Sequence, residues 1–488
     1  MADWRFDNSL IRELPGLFTP WQAELPAAPQ LIIFNDSLAA RLGLPGREAG
    51  EVQLADWLSG AEPVPGSAPA ALAYAGHQFG QFNPAMGDGR ALLLGEIVTP
   101  AGSRFDLQFK GSGRTPYSRG GDGMCALGPA LREYLMSEAM AALQVPTTRS
   151  LAVVATGSGI WREQPHPAAV LTRVAASHLR IGTFEYAATH QGVEAVQQLT
   201  DYALGRHYPA LLAARNRPLA LLEAVAEAQA RLVARWMALG FVHGVMNTDN
   251  VTISGETIDY GPCAFLDVYA ASEVFSSIDR QGRYAYGQQP AVCRWNLYQL
   301  ASALIGPIAA VDAADAENAR VLLEDWPLRY QAHWLRELRA KLGLNTEHTD
   351  DQALVQDLFI ALEGQQADFT MLFRALADAL SQGYDAVGAQ LLDPAALAPW
   401  YARWQARLAL EPTDPQIRAA AMEAVNPLYI ARNHRTDAAL AAAEAGDLAP
   451  FTALLAAVSQ PYAAQPGWEH FAAVAPAGTP HHVTFCGT

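Results

Sequence analysis

The sequence predicts an α+β protein in two parts, a strand-rich part followed by a helical one. Three observations carry this. Between Tyr74 and Val174, short apolar runs either alternate with polar residues or are set off by glycine turns, which is the period-two signature of strands. From Leu219 onward, apolar residues recur at three- and four-residue intervals, the signature of helices. At the junction lies FVHGVMNTDNVTISGETIDYG, residues 241–261, which sets a His-Gly turn, an Asp-Asn pair and a second Asp between short apolar runs.

Composition narrows the function classes. The 488 residues are 51% hydrophobic and carry a net charge of -16, enough for a large core but opposed to nucleic-acid or anionic-membrane binding through bulk charge. Any phosphate site must be a local basic patch. No apolar run reaches the length of a membrane span, and the start, MADWRFDNSLIRELPG, lacks the apolar segment of a secretory signal. Four cysteines, Cys125, Cys263, Cys293 and Cys486, form neither a disulfide framework nor a zinc pattern, which predicts a reducing, cytoplasmic compartment. Nothing in the pattern specifies an oligomeric state.

In chain order, residues 1–70 read as an N-terminal extension packed on something larger, with Asn35 capping a helix that begins at Asp36. Residues 71–185 form the first lobe. There AGHQFGQFNPAMGDGRALLLGEIV places glycines and Arg90 ahead of an apolar run, and Pro100-Ala101-Gly102 turns the chain into Arg104–Lys110. In that strand Phe105, Leu107 and Phe109 face one way and Asp106, Gln108 and Lys110 the other. The polar loop GSGRTPYSRGGDG leads to a helix with Pro129 in its first turn. Glu133 and Glu138 lie on this helix, and either can reach back to Lys110. Strands follow at 150–155 and 168–174. Residues 186–310 form the second lobe, with a helix at 219–239 ended by Gly240 and another at 295–305. Residues 311–488 form a helical C-terminal region, with helices expected at 316–342, 351–362, 369–380 and 437–458.

The junction segment reads as a β-hairpin turning at Ser254-Gly255-Glu256, with Asn250 at its start and Asp259 at its end. An Asn and an Asp side by side offer oxygen ligands that suit a hard cation such as Mg²⁺. With a glycine-rich hairpin, a strand-ending lysine and a glutamate helix upstream in that order, the layout is protein-kinase-like and two-lobed. One kinase feature is missing: Val245 stands where the H-R-D aspartate would be. Either Asp249 serves as base, or it only caps its own turn and the protein is a catalytically silent pseudokinase scaffold. Arg173 and Arg180, in LTRVAASHLRIG, fall where a kinase keeps an apolar adenine slot. With Arg90 and Arg114 upstream they point to phosphates there, which reverses the nucleotide and presents its α-phosphorus to the acceptor. A conventional γ-phosphoryl kinase is the alternative that Lys110, Asn250 and Asp259 also allow.

YAGHQFGQFNPAMGDGRALLLGEI, DLQFKGSGRTPYSRGGDG, LREYLMSEAM, LTRVAASHLRIGTFEY and HGVMNTDNVTISGETIDYGPCAFLD together resemble the selenoprotein O, or YdiU, family of protein adenylyltransferases. The resemblance spans nearly the whole chain. It implies a kinase-like fold that binds ATP in flipped orientation and transfers AMP to Ser, Thr or Tyr hydroxyls of proteins. By the same resemblance Gly87, Gly89, Arg90, Lys110, Asp122, Gly123, Arg173 and Arg180 bind the nucleotide, and Glu133 pairs with Lys110. Asn250 and Asp259 ligate Mg²⁺ or Mn²⁺, and Asp249 accepts the hydroxyl proton. Some family members carry selenocysteine where this chain has Cys486, so a Cys263–Cys486 disulfide is an expected redox control. His77, His178 and His243 are expected to be structural.

Overall fold

The computed structural model describes residues 4–162, 164–476 and 478–484. Its centre is an eight-stranded sheet whose pairings are antiparallel. In spatial order the strands are Phe18–Pro20, Ala70–Leu72, Ala91–Val98, Arg104–Lys110, Pro165–Ala175, Arg149–Trp161 and Gln30–Phe34, with Cys125–Ala126 pairing on Pro165–Ala175. The first seventy residues are thus part of the sheet, since Phe18–Pro20 and Gln30–Phe34 form its two outer strands. Their helices Asp36–Leu42 and Glu51–Ser59 supply Leu38, Leu54 and Leu58 to a core shared with Leu107, Phe109, Val170 and Val174 on one sheet face.

The opposite face of Arg104–Lys110 is polar, as the alternation requires, yet it is not solvated. Asp106 and Gln108 are fully buried and Lys110 is 6% exposed. Unpaired polar groups at that depth cost several kcal/mol each, and here each has a partner. Asp106 accepts from the His178 amide and Arg206 at 2.7 and 2.9 Å, Gln108 donates to Asp88 at 3.0 Å, and Lys110 donates to Glu133 at 2.7 Å. A lysine that ends a strand is usually a solvated edge charge; this one is enclosed.

Helix Leu127–Ala142 packs across Arg149–Trp161 and Pro165–Ala175 through Leu131 and Leu135, which opens a second and larger core. That core continues into helix Arg217–Leu239, which ends on Gly240 in the left-handed conformation, and on into the C-terminal helices. Two long helical expectations divide in the structure. Residues 316–342 become Asp315–Glu324 and Trp326–Lys341, because Pro327 starts a new helix. Residues 437–458 become Asn433–Glu444 and Ala449–Val458, separated by Gly446 and with Pro450 in the second helix's first turn.

The expected hairpin between Asn250 and Asp259 is also revised. Its arms do not pair with each other: Thr252 bridges to Arg180 and Thr257 to Thr147. The turn is closed instead by the Thr252 hydroxyl, which donates to the Glu256 carbonyl at 2.7 Å. Each arm is therefore held by backbone from earlier in the chain, with the Ile253 amide on Leu179 and the Thr257 amide on Pro146, both at 2.9 Å. The segment after Asp259 is fastened from the far side by the C-terminal region. Asn433 donates to the Phe265 carbonyl at 2.9 Å and to Asp267 at 3.1 Å, and Arg432 lies 3.5 Å from Asp267.

Candidate nucleotide and catalytic site

Lys110, at the end of its strand, meets Glu133 from helix Leu127–Ala142, Arg173 from the neighbouring strand and Asp259 from the junction segment. Of the two acids on the helix, Glu133 reaches Lys110, whereas Glu138 binds Arg149 at 2.7 Å. Arg173 is 2% exposed and bonds Glu133 through Nε at 2.8 Å and Asp259 Oδ1 at 3.0 Å. Lys110 Nζ also donates to Asp259 Oδ1. Two cations and two carboxylates thus close a ring, of which Lys110, Glu133 and Arg173 are enclosed and Asp259 keeps some exposure. Burial raises the pKa of Asp259, but Lys110, then Arg173 and Arg180, outweigh it and hold the carboxyl well below its ordinary range. Glu133 is held down in the same way by Arg173 and Lys110 against its burial.

Arg180 is 4% exposed and precedes helix Ile181–His190. Its guanidinium lies 4.5 Å from the Tyr74 ring centre and 3.7 Å from Asp88 Oδ1. Neither arginine is a surface ion pair, which is the commonest role of a lone arginine. Asp88 has no signal in the sequence that marks it as part of this cluster. It sits between the two glycines singled out in GDG, is 1% exposed, and ties Gln108 to the Leu72 amide.

The glycines also serve packing between loops. The Gly87 amide is used on the Tyr74 carbonyl at 3.1 Å, and a Cβ at Gly87 would overlap the Tyr117 ring at 2.3 Å. Gly89 likewise packs on the Tyr117 backbone, and the Gly123 carbonyl accepts from Gly113 at 3.2 Å. Their immediate work is to let the two polar loops close on each other. Asp122 forms a fork with Arg162 at 2.7 and 3.0 Å, with no bond to Lys110, Arg173 or Arg180. Arg90 does line the cleft beside Lys110, a cavity of about 320 Å³ that also touches Arg132, Glu133 and Gly261, and His482 to Thr484 of the chain's end.

Across the site, Thr248–Asn250 forms one 3₁₀ turn. Asn250 donates from Nδ2 to the Val245 carbonyl at 3.0 Å, which directs its carboxamide oxygen away from that carbonyl. Asp259, with φ of 70°, turns its carboxylate toward the cations, a left-handed conformation that Asp tolerates better than most residues. Both of its bonds fall on Oδ1, so among the described residues Oδ2 has no partner, and the side chain remains 30% exposed. Among the described residues no three His, Cys, Asp or Glu side chains gather as a ready-made metal cage. An ionised carboxylate with one open oxygen, and an amide whose oxygen is not spent on the Val245 carbonyl, are donors of the kind a hard cation takes while drawing its other ligands from phosphate and water.

Asp249 is 8% exposed and its Oδ1 is buried without a partner. Burial, opposed by Arg180, pushes this carboxyl up to about 7. Gly76 makes room for it, since a Cβ there would sit 2.5 Å from Oδ1. The adjacent Thr248 donates to Glu185 at 2.6 Å and accepts from the His77 amide at 2.8 Å, while His77 Nδ1 lies 2.6 Å from Glu185. Glu185 carries no sequence signal of its own, and only folding brings it against the Thr248–Asn250 turn. His243 contacts the Ile258 carbonyl at 2.8 Å and His178 contacts Asp106 at 3.1 Å, both fully enclosed. Cys263 is buried with its thiol pushed up to about 11 by that burial, and donates to the Tyr260 carbonyl at 3.2 Å. Cys486 lies outside the described residues.

Residues 3–459 match the family model described as "Protein adenylyltransferase SelO". The chain is similar to proteins named "Protein nucleotidyltransferase YdiU". That of Sphingopyxis alaskensis is 55% identical over 483 residues, 99% of each chain. That of Cereibacter sphaeroides is 53% identical over 487 residues, 99% of this chain and 100% of the relative. That of Geobacillus kaustophilus is 51% identical over 490 residues, 100% of both. Among the described residues no helix is long and apolar enough to cross a membrane.

Proposed function

The chain belongs to the SelO family of protein adenylyltransferases and is a nucleotidyltransferase, and from that premise we propose that it binds ATP in flipped orientation in a kinase-like cleft and moves AMP onto Ser, Thr or Tyr hydroxyls of proteins. The observation that carries the reading is the burial of Arg173 and Arg180 beside the carboxylate that Lys110 holds. Two guanidiniums enclosed there suit the β- and γ-phosphates and have no use beside adenine. The triphosphate tail then occupies the space above Glu133 and Arg173, with Arg90 at its edge, and the α-phosphorus faces Asp249.

The acceptor oxygen forms a bond to the α-phosphorus, the bond from that phosphorus to the bridging oxygen breaks, and pyrophosphate leaves with the electron pair. Asp249 takes the hydroxyl proton. Its burial suits this role, because a base with a pKa near the working pH is both ionised and strong enough to accept a proton. Lys110, Arg173 and Arg180 neutralise the charge spreading over the leaving phosphates. A Mg²⁺ or Mn²⁺ ion, held by Asn250 and the open oxygen of Asp259, would supply further charge neutralisation and orient the phosphates.

ATP labelled at the α- or the γ-phosphate tests the reading directly. Label on protein from the α-position, with pyrophosphate released, is expected; γ-label on protein overturns it in favour of a kinase, and no transfer from either favours a silent scaffold. The same cleft supports a redox control. Thr484 donates to the Pro262 carbonyl at 2.7 Å, beside Cys263 and two residues before Cys486. A peroxide-class oxidant would join the two thiols as a disulfide, taking two electrons and two protons. Mass spectrometry of oxidised and reduced protein is expected to find the Cys263–Cys486 linkage in the oxidised sample alone, and free thiols in both samples would exclude it.

A further inference from the structure

Three segments meet on the outer side of Asp249. The hairpin Gly76–Gln78 with Gln81–Asn83 is bonded to the catalytic turn through the His77 and Phe79 amides, at 2.8 and 3.1 Å. The loop ahead of helix Gln289–Val311 reaches the same turn through Tyr284, whose hydroxyl donates to Asn247 at 2.6 Å. Trp295, on that helix, closes the wall with its ring centre 5.1 Å from His77, which in turn lies 4.8 Å from Phe82. Phe82 is 45% exposed, so this aromatic wall opens to solvent.

Arg283 projects into it. Its guanidinium stands 4.7 Å from the Trp295 ring centre and 5.7 Å from that of Tyr284, and rests 3.5 Å from the position of a Cβ on Gly80. Among the described residues it meets rings and a phenol, and no carboxylate lies within ion-pair distance of its guanidinium. Asp279 is engaged by the Arg283 and Tyr284 amides at 3.0 and 2.7 Å. Glu185 is engaged by His77 and Thr248, each at 2.6 Å. Arg283 Nε is buried and unpartnered, and among the described residues the guanidinium forms no ion pair. A guanidinium laid against an aromatic face keeps its planar fork for a carboxylate.

We propose that Arg283, flanked by Trp295 and Phe82, is the acceptor-side recognition site, and that it takes an Asp or Glu side chain lying close to the modified hydroxyl in the protein substrate. The inference rests on the assignment of Asp249 as the acceptor base. The net charge of -16 would by itself repel an acidic segment. Preference for a carboxylate must therefore come from a local cation, and Arg283 is one that forms no ion pair among the described residues.

The test uses paired peptides that carry one Ser, Thr or Tyr and differ only by Glu or Gln nearby. Wild-type protein is expected to use the Glu peptide with a KM about tenfold lower, the size of one charge-assisted hydrogen bond. Arg283→Gln is expected to abolish that difference through KM. Arg283→Glu is expected to prefer a matched Lys peptide, a gain that misfolding cannot produce. Equal use of both peptides by wild-type protein, or a Glu preference that survives Arg283→Gln, would overturn the proposal. Fluorescence anisotropy of the same labelled peptides reads binding without chemistry. If α-label is transferred to neither peptide while the Glu peptide still binds more tightly through Arg283, the activity reading fails and the recognition site stands. If transfer proceeds and binding ignores the Glu, the reverse holds.

Discussion

Asp259→Ala is expected to lower AMP transfer by about 10³-fold or more, because it removes the open ligand oxygen and the anion that Lys110 and Arg173 both address. The loss should fall on kcat, and added Mg²⁺ or Mn²⁺ should not restore it. The fold is expected to survive the substitution, since Lys110 and Arg173 keep Glu133. Measuring α-label transfer alongside thermal unfolding separates the two effects; a variant with near-normal kcat would remove Asp259 from the metal site. Chelation of the wild-type protein should reproduce the loss reversibly.

Asp249→Asn is expected to cost about 10²–10⁴ in kcat, the range for a positioned general base, while stability stays equal or rises. The sign follows from burial. The folded carboxyl sits near 7 and an unfolded one near 3.8, so the unfolded state releases its proton first as pH rises. Asp249 therefore destabilises the fold progressively from about pH 4 to pH 7 and by a constant amount above that. An uncharged isostere removes this penalty, about 4 kcal/mol for a rise of about three pKa units in which the attraction of Arg180 is already counted. Activity runs the other way: the base must be ionised, so kcat should fall as pH drops below an apparent pKa no higher than about 7, a cation on the adjacent ligands drawing it down. Denaturant midpoints and pH–rate profiles for the pair decide this. Loss of stability together with activity would make Asp249 a structural cap.

Much of this was legible in the residues. Alternation in Arg104–Lys110 located the strand and the face of its lysine, and the order of lysine, glutamate helix and Asn-to-Asp segment located the elements that meet at Asp259. What escaped reading shares a physical cause. Period-two patterning separates polar from apolar faces but does not reveal that the polar face is covered, since this depends on Arg206, Asp88 and Arg173 arriving from distant segments. The hairpin was mistaken because each arm found a better partner outside, at Leu179 and Pro146, and pairing partners of short segments are not local information. That Gly87 and Gly123 also let two loops pack closely could not be read from composition, because their opposite numbers, Tyr117 and Gly113, come from elsewhere in the chain. Glu185 and Arg283 had no local signal, because their meaning lies in what stands opposite.

The enclosed polar face of Arg104–Lys110 has a consequence for how the chain can vary. Asp106, Gln108 and Lys110 each meet a fixed partner, while Phe105, Leu107 and Phe109 belong to the apolar side. Inserting or deleting one residue in the turn at 99–103 would exchange the two sets, sending charges into the apolar core and rings onto Glu133 and Arg206. Strand alignment and active-site alignment are thus one quantity in this protein, so a misthreaded chain cannot retain partial activity. Loop-length variation should be tolerated elsewhere on the molecule and absent from this turn.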